Sequence, residues 1–115
     1  MKILFQNKTA ESQFSSKYKA KQRYPDAVKK KLEAAENFII AASTLQDIVN
    51  YLPFHFHKLK GDLKGEWSIY LGTTGYRVTM IPCDENGKKI LEGDILARCR
   101  TIRIVCVTEV SNHYE

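Results

Sequence analysis

Residues with useful chemistry fall in three places along the chain. His55, His57, Lys58, Lys60 and Lys64 lie in a short basic stretch that contains glycine. Arg77 stands near the start of an alternating apolar segment. The last residues read Ser111-Asn112-His113-Tyr114-Glu115. Imidazole serves as acid or base near neutral pH. A guanidinium fork offers a phosphate two parallel hydrogen bonds, and lysines hold a polyanion as point charges. Such a set suits metal-independent cutting of RNA. A base takes the ribose 2′ proton, the freed oxygen attacks the neighbouring phosphorus, and an acid protonates the departing 5′ oxygen while cations stabilise the added charge. Each residue also has a plainer use. His113 serves equally as a solvated residue near the end of the sequence. Arg77 can pair with an acid across a hairpin, and His55 and His57 can pack among their phenylalanine neighbours. The lysines fit a solvated hairpin end, and Trp67 fits a core better than a stacking platform.

The 115 residues carry a net charge of +5. That length fits one compact domain, residues 1–115. The charge favours a polyanionic partner: nucleic acid, an acidic protein segment or a membrane surface. Cys83, Cys99 and Cys106 are odd in number and form no C-x-x-C pair. A disulfide framework or zinc knuckle is therefore not expected, and free thiols in a reducing cytosol are. No phosphate-binding glycine loop, G-x-S-x-G or H-E-x-x-H pattern occurs, which argues against a nucleotide-binding enzyme, that class of hydrolase and a metalloprotease. No cofactor and no metal are expected. The apolar run after Met1 is too short for a signal peptide. No stretch nears the roughly 20 apolar residues of a membrane span, so a soluble, cytoplasmic protein is expected.

The elements that must position these residues divide into a helical half and a strand-rich half. Lys2 to Phe5 suits a short strand, and Thr9 to Gln22 a loop with a short helix. Pro25 and Asp26 open a longer helix, in which Val28, Leu32, Ala35, Ile39 and Ala42 recur in steps of four and three and form one apolar stripe. Lys29-Lys30-Lys31 straddles the other face. Ser43 or Thr44 caps a further short helix that Pro53 ends. From Phe54 the period becomes two. Trp67, Ile69 and Leu71 alternate with Ser68 and Tyr70. Gly72 to Gly75 turns the chain, and Tyr76, Val78 and Met80 alternate with Arg77, Thr79 and Ile81, giving a hairpin. Phe54 to Leu59 can pair with it. Cys83 to Arg100 is a charged excursion with a turn at Asp84-Glu85-Asn86-Gly87, and Thr101 to Val110 reads as a last, largely buried strand. This order predicts an α+β fold with N-terminal helices packed on a small antiparallel sheet.

The stretch His57-Lys58-Leu59-Lys60-Gly61-Asp62, the strand Gly65-Glu66-Trp67-Ser68-Ile69, the pair Tyr76-Arg77 and the final His113 occur in an order that resembles the HigB, or plasmid maintenance killer, branch of the RelE/ParE toxin superfamily. The resemblance implies a RelE-like fold and a toxin of a type II toxin-antitoxin system. Such a toxin is a ribosome-dependent endoribonuclease (mRNA interferase) that inhibits translation and arrests growth. It implies a cognate HigA-like helix-turn-helix antitoxin, the ribosome and mRNA as partners, and a toxin-antitoxin hetero-oligomer. Carried over by position, His113 is acid or base, with Tyr114 beside it. Arg77 meets the scissile phosphate, and Lys58 and Lys60 lie in the basic turn. The expected site is then His113, Arg77, Lys60 and Tyr114 as catalytic residues, with Lys58, Lys60, Lys64 and His57 binding RNA. Three features depart from the pattern: Tyr70 where a basic residue is common, the tail order Asn112-His113-Tyr114, and the long segment from Cys83 to Arg100. The alternatives are a ParE-like gyrase-inhibiting toxin and a non-catalytic RNA-binding module.

Overall fold

A computed structural model describes residues 1–61 and 65–112. Lys64, His113 and Tyr114 lie outside the described residues. The order of elements is β1 (Lys2–Phe5), α1 (Lys8–Phe14), α2 (Asp26–Ala41), α3 (Leu45–Asn50), β2 (His57–Lys58), β3 (Trp67–Tyr70), β4 (Tyr76–Cys83), α4 (Ile95–Arg98) and β5 (Ile104–Asn112). Among the described residues the strands form one five-stranded sheet, ordered β1-β5-β4-β3-β2, with helices packed against it. The fold is α+β.

Local chemistry explains most of the element ends. The Asn7 side chain accepts from the Ala10 N–H at the start of α1, Thr44 accepts from Gln46 at the start of α3, and Asp94 accepts from Ala97 at the start of α4. Each satisfies a donor that the first helical turn leaves open. The stripe of α2 is buried throughout: Val28, Leu32, Ala35, Ile39 and Ala42 all join the core with Ile69, Val78, Met80, Val105 and Val107 from the sheet. Pro53 does not simply end α3. The helix stops at Asn50, and Leu52–Phe54 continues as a 3-10 turn, a geometry that tolerates proline near its start. Within the excursion, the short helix α4 buries Ile95, an element too brief to carry a readable period.

Three of the four strand pairings are antiparallel. The fourth joins β1 to β5 in parallel, with Ile3 beside Val105 and Phe5 beside Val107. The two segments stand at opposite ends of the sequence, so no tight turn imposes an antiparallel approach. The pairing completes the apolar face with Ile3 and Phe5, the latter packing against Phe14 of α1 with ring centroids 6.2 Å apart.

Strand β5 carries an irregularity. Thr79 pairs with Glu109 while Met80 pairs with Val107, so Thr108 is an extra residue. Such a bulge changes the alternation of faces. It lets Val105, Val107 and also Val110 face the core, although 107 and 110 differ by three. The Thr108 hydroxyl donates to the Thr79 carbonyl (3.2 Å), and the Thr79 hydroxyl donates to that of Glu109 (3.3 Å). Past the end of β1, the Gln13 side-chain oxygen accepts from the Val110 N–H at 3.0 Å, standing in for the missing neighbour strand. Gln13→Leu should strand this part-buried donor and cost about 1–3 kcal/mol. A urea midpoint equal to wild type would show the contact to be dispensable.

All three cysteines are free and buried. Burial, with Cys106 and Asp84 nearby, pushes the Cys83 thiol up to about 11, although Lys89 opposes the shift. Burial likewise raises the Cys106 thiol. Only the thiolate attacks an alkylating reagent, so both thiols should react slowly at pH 8 until the chain unfolds. The folded-state value for Cys83 is raised, so its contribution to stability is complete below the ordinary 9.0 and disappears as pH climbs through about 11. Rapid alkylation of both at pH 8 in the native protein would contradict this packing.

Candidate functional site

The face of the sheet opposite the core has a polar half. Side chains directly across neighbouring strands point to the same side, so the register defines two rows. One row runs His57, Ser68, Thr79, Glu109, and the other runs Tyr70, Arg77, Ser111. The rows cross β2, β3, β4 and β5 and gather residues from the basic stretch, the hairpin and the region just before the tail. On the same face toward β1 lie Leu4, Ile81, Cys83 and Cys106, with Gly87 of the excursion against Leu4 and Lys89 donating to the Gln6 side chain at 3.1 Å.

Three atoms in this polar half are buried without a hydrogen-bond partner among the described residues: Ser68 Oγ, Arg77 Nε and Ser111 Oγ. Arg77 and Ser111 are direct cross-strand partners, and Ser68 shares its strand and face with Tyr70, the other partner of Arg77. A buried polar group without a partner costs about 1–3 kcal/mol, and native proteins seldom leave several side by side. A serine hydroxyl can donate or accept and the Arg77 Nε–H can only donate, so each of these atoms keeps hydrogen-bonding capacity that the described residues do not use.

Beside them is a cluster of rings. His55 stacks on Tyr70, with centroids 5.3 Å apart and planes 13° from parallel. His57 lies 4.9 Å from His55 and 5.3 Å from Tyr70. His55 is the one described non-glycine residue with positive φ, at 47°. The left-handed region costs a side chain roughly 1–2 kcal/mol, and such strain gathers at functional sites. It turns the His55 carbonyl toward the next imidazole: His57 Nδ1 is 2.7 Å from that oxygen. A carbonyl can only accept, so Nδ1 carries the proton and Nε2 is the nitrogen left to exchange one. The hydrogen bond orients the His57 ring and favours the tautomer protonated at Nδ1.

The lysines are distributed differently. Lys58 pairs with Trp67, so it leaves the edge strand on the side opposite His57, and it is exposed. Lys60, also exposed, follows the Leu59 N–H to Glu66 carbonyl bond (3.0 Å) and precedes Gly61, whose φ is +88°. Trp67 is buried and stacked on Phe56, with centroids 4.7 Å apart, a packing role. The structure thus brings Arg77 and His57 to one face and sets Lys58 apart. It adds Ser68 and Tyr70, which sequence reasoning did not select, and it joins to them His55 and Ser111, which the sequence offered only as residues of useful type without a role. The period-two pattern carried a signal for Ser68 and Tyr70, because both alternate with core residues on the strand paired to Arg77. Ser111 required the bulge.

No model of a known protein family matches the chain, and no curated protein matches it.

Proposed function

We propose that the chain is a type II toxin of the RelE/HigB kind, a metal-independent endoribonuclease that cuts translated mRNA on the ribosome. The observation that carries this reading is the set of unpartnered buried polar atoms on Ser68, Arg77 and Ser111, arranged across three adjacent strands on one face of the sheet. Groups able to donate to an oxyanion suit the charge that builds on a phosphorane-like transition state. His57, held with Nε2 free, supports proton transfer beside them. The stacked rings of His55 and Tyr70 suit an unstacked base, and the net charge of +5 suits the RNA backbone. His113 and Tyr114 complete the proton transfer, Lys60 adds positive charge, and Lys58 and Lys64 hold RNA. A HigA-like helix-turn-helix antitoxin neutralises the toxin as a hetero-oligomer in the cytoplasm.

The test is controlled expression with mapping of mRNA 5′ ends. Growth arrest with new ends at codon-phased positions supports the proposal. Intact mRNA together with inhibited DNA supercoiling would favour a gyrase poison instead. Intact RNA bound with steep salt dependence would identify a binding module.

A further inference from the structure

The surplus positive charge of the chain sits in one stretch. Residues 16–31 hold seven of the 18 lysines and arginines and one of the 13 acids, a balance of +6, so the other 99 residues together carry −1. Lys17, Lys19, Lys21 and Arg23 precede α2, and Lys29-Lys30-Lys31 lies within it. The fold sets the two groups side by side. Ser16–Lys21 forms a 3-10 turn next to α2. The Ser16 N–H donates to the Glu36 carboxylate at 3.1 Å, and Lys19 pairs with Glu33 at 3.3 Å. The two segments therefore run antiparallel, and Lys21 and Arg23 come to the N-terminal end of α2, where the three lysines stand.

Two of the three acids in this region are already engaged: Glu33 holds Lys19, and Glu36 is buried on the Ser16 N–H. Asp26 stays in the first turn of α2. Lys17, Lys21, Arg23, Lys30 and Lys31 are exposed and join no ion pair among the described residues. Helix chemistry does not account for the lysines of α2. Cations favour the C-terminal end of a helix, yet the last turn of α2 has no basic residue. Like charges this close repel, a cost that a bound polyanion would offset. The patch also reaches the candidate site. The Lys31 side chain lies against Gly72 in the turn between β3 and β4. The Tyr24 ring meets Tyr76 edge-on, with centroids 5.5 Å apart, and Tyr76 precedes Arg77.

We propose that this patch docks the phosphate backbone of a double-helical segment of RNA, beside the polar rows and separate from them. No large apolar side chain of residues 16–31 is exposed; Tyr18 and Tyr24 are half-buried. Surfaces for single strands combine cations with aromatic platforms for unstacked bases, and this one offers cations alone. A duplex keeps its bases stacked inside and presents phosphates. The same lack of apolar anchors tells against a membrane surface, into which such residues would insert, and against an acidic protein segment, whose docking would need them at its centre. RNA is preferred to DNA because the patch adjoins the candidate site, a choice that rests on the RNA-cutting reading. The charge pattern itself stands without it.

The full chain is titrated with a fluorescent RNA hairpin whose 2′-oxygens are methylated, so that binding is read without cleavage, between about 50 and 200 mM salt. The triple variant Lys21→Gln, Arg23→Gln, Lys30→Gln should bind at least about tenfold more weakly and lower the slope of log affinity against log salt by about 2–3. The triple variant Lys88→Gln, Arg100→Gln, Arg103→Gln removes the same charge from exposed positions elsewhere and should stay within about twofold of wild type. Lys30→Gln alone, a change that helix propensity tolerates, should lower the slope by about 1. It decides the outcome even if the first triple variant unfolds. Unchanged binding in the patch variants, or an equal loss in both triple variants, overturns the proposal. So does tighter binding of a DNA hairpin, of polyglutamate or of vesicles rich in anionic lipid. Patch-dependent binding by a protein that leaves mRNA intact sinks the RNA-cutting reading and keeps this one. Cleavage with patch-independent binding does the reverse.

Discussion

Arg77→Met should slow RNA cleavage about 100- to 1000-fold, the usual loss when one preorganised donor to a transition-state oxyanion is removed, while leaving the protein at least as stable as wild type. The two effects have one cause. Arg77 is half-buried, and its Nε is buried with no partner among the described residues, so the folded protein carries one unsatisfied donor there. Methionine keeps much of the length and apolar stem and removes the unpaired group, which should raise stability by up to about 1–3 kcal/mol. Arg77→Lys separates charge from geometry: it keeps the cation, loses the fork and Nε, and should remain strongly impaired. Single-turnover cleavage of mRNA on ribosomes, measured beside urea unfolding, reads both quantities. Wild-type cleavage by Arg77→Met would remove Arg77 from the site. Lost cleavage with a large fall in stability would mean that Arg77 holds the sheet together instead.

Ile39→Ala should destabilise the protein by about 2–5 kcal/mol, a large part of the roughly 5–15 kcal/mol that holds a domain of this kind folded. Ile39 is fully buried at the junction of α2 with the sheet core. It lies close to where the N-terminal ammonium donates to the Ile39, Ile40 and Ala42 carbonyls at 3.0, 2.9 and 2.6 Å, a cation on the negative end of α2. Neighbours on both the helix and the strands cannot all move inward, so a cavity remains. Ile39→Val, which removes one methylene, should cost about 0.5–1.5 kcal/mol. The urea midpoint with an unchanged slope measures both. A loss below about 1 kcal/mol for the alanine variant would mean that the site collapses and that the α2–sheet contact is looser than the burial indicates.

These two residues were legible to different degrees. Ile39 stands in a stripe of 3.6 periodicity, and helix geometry turns that spacing directly into a face. The hairpin from Trp67 to Ile81 was equally plain, since alternation and a glycine turn are both local. The place of Arg77 on a strand could be read in the same way. What surrounds it could not, because strand neighbours are chosen by pairing between distant segments. Lys58 shows the limit in one residue. It adjoins His57 in sequence, and that adjacency suggested a shared role, yet the pleat sends the two to opposite sides of the edge strand.

The basic stretch, the arginine on its hairpin and the helical stripe follow from the order of residues, because charge, turn chemistry and periodicity are properties of near neighbours. The tertiary structure alone decided which groups meet. Strict alternation through Val105 and Val107 would carry Glu109 and Ser111 toward the core. The extra residue at Thr108 resets the faces, returns Val110 to the interior and sets Ser111 across from Arg77. One residue of slippage exchanges the two faces of a strand, and that choice rests on the packing of the whole sheet. The left-handed turn at His55 works in the same way: only the folded backbone aims its carbonyl at His57 Nδ1 and leaves Nε2 free.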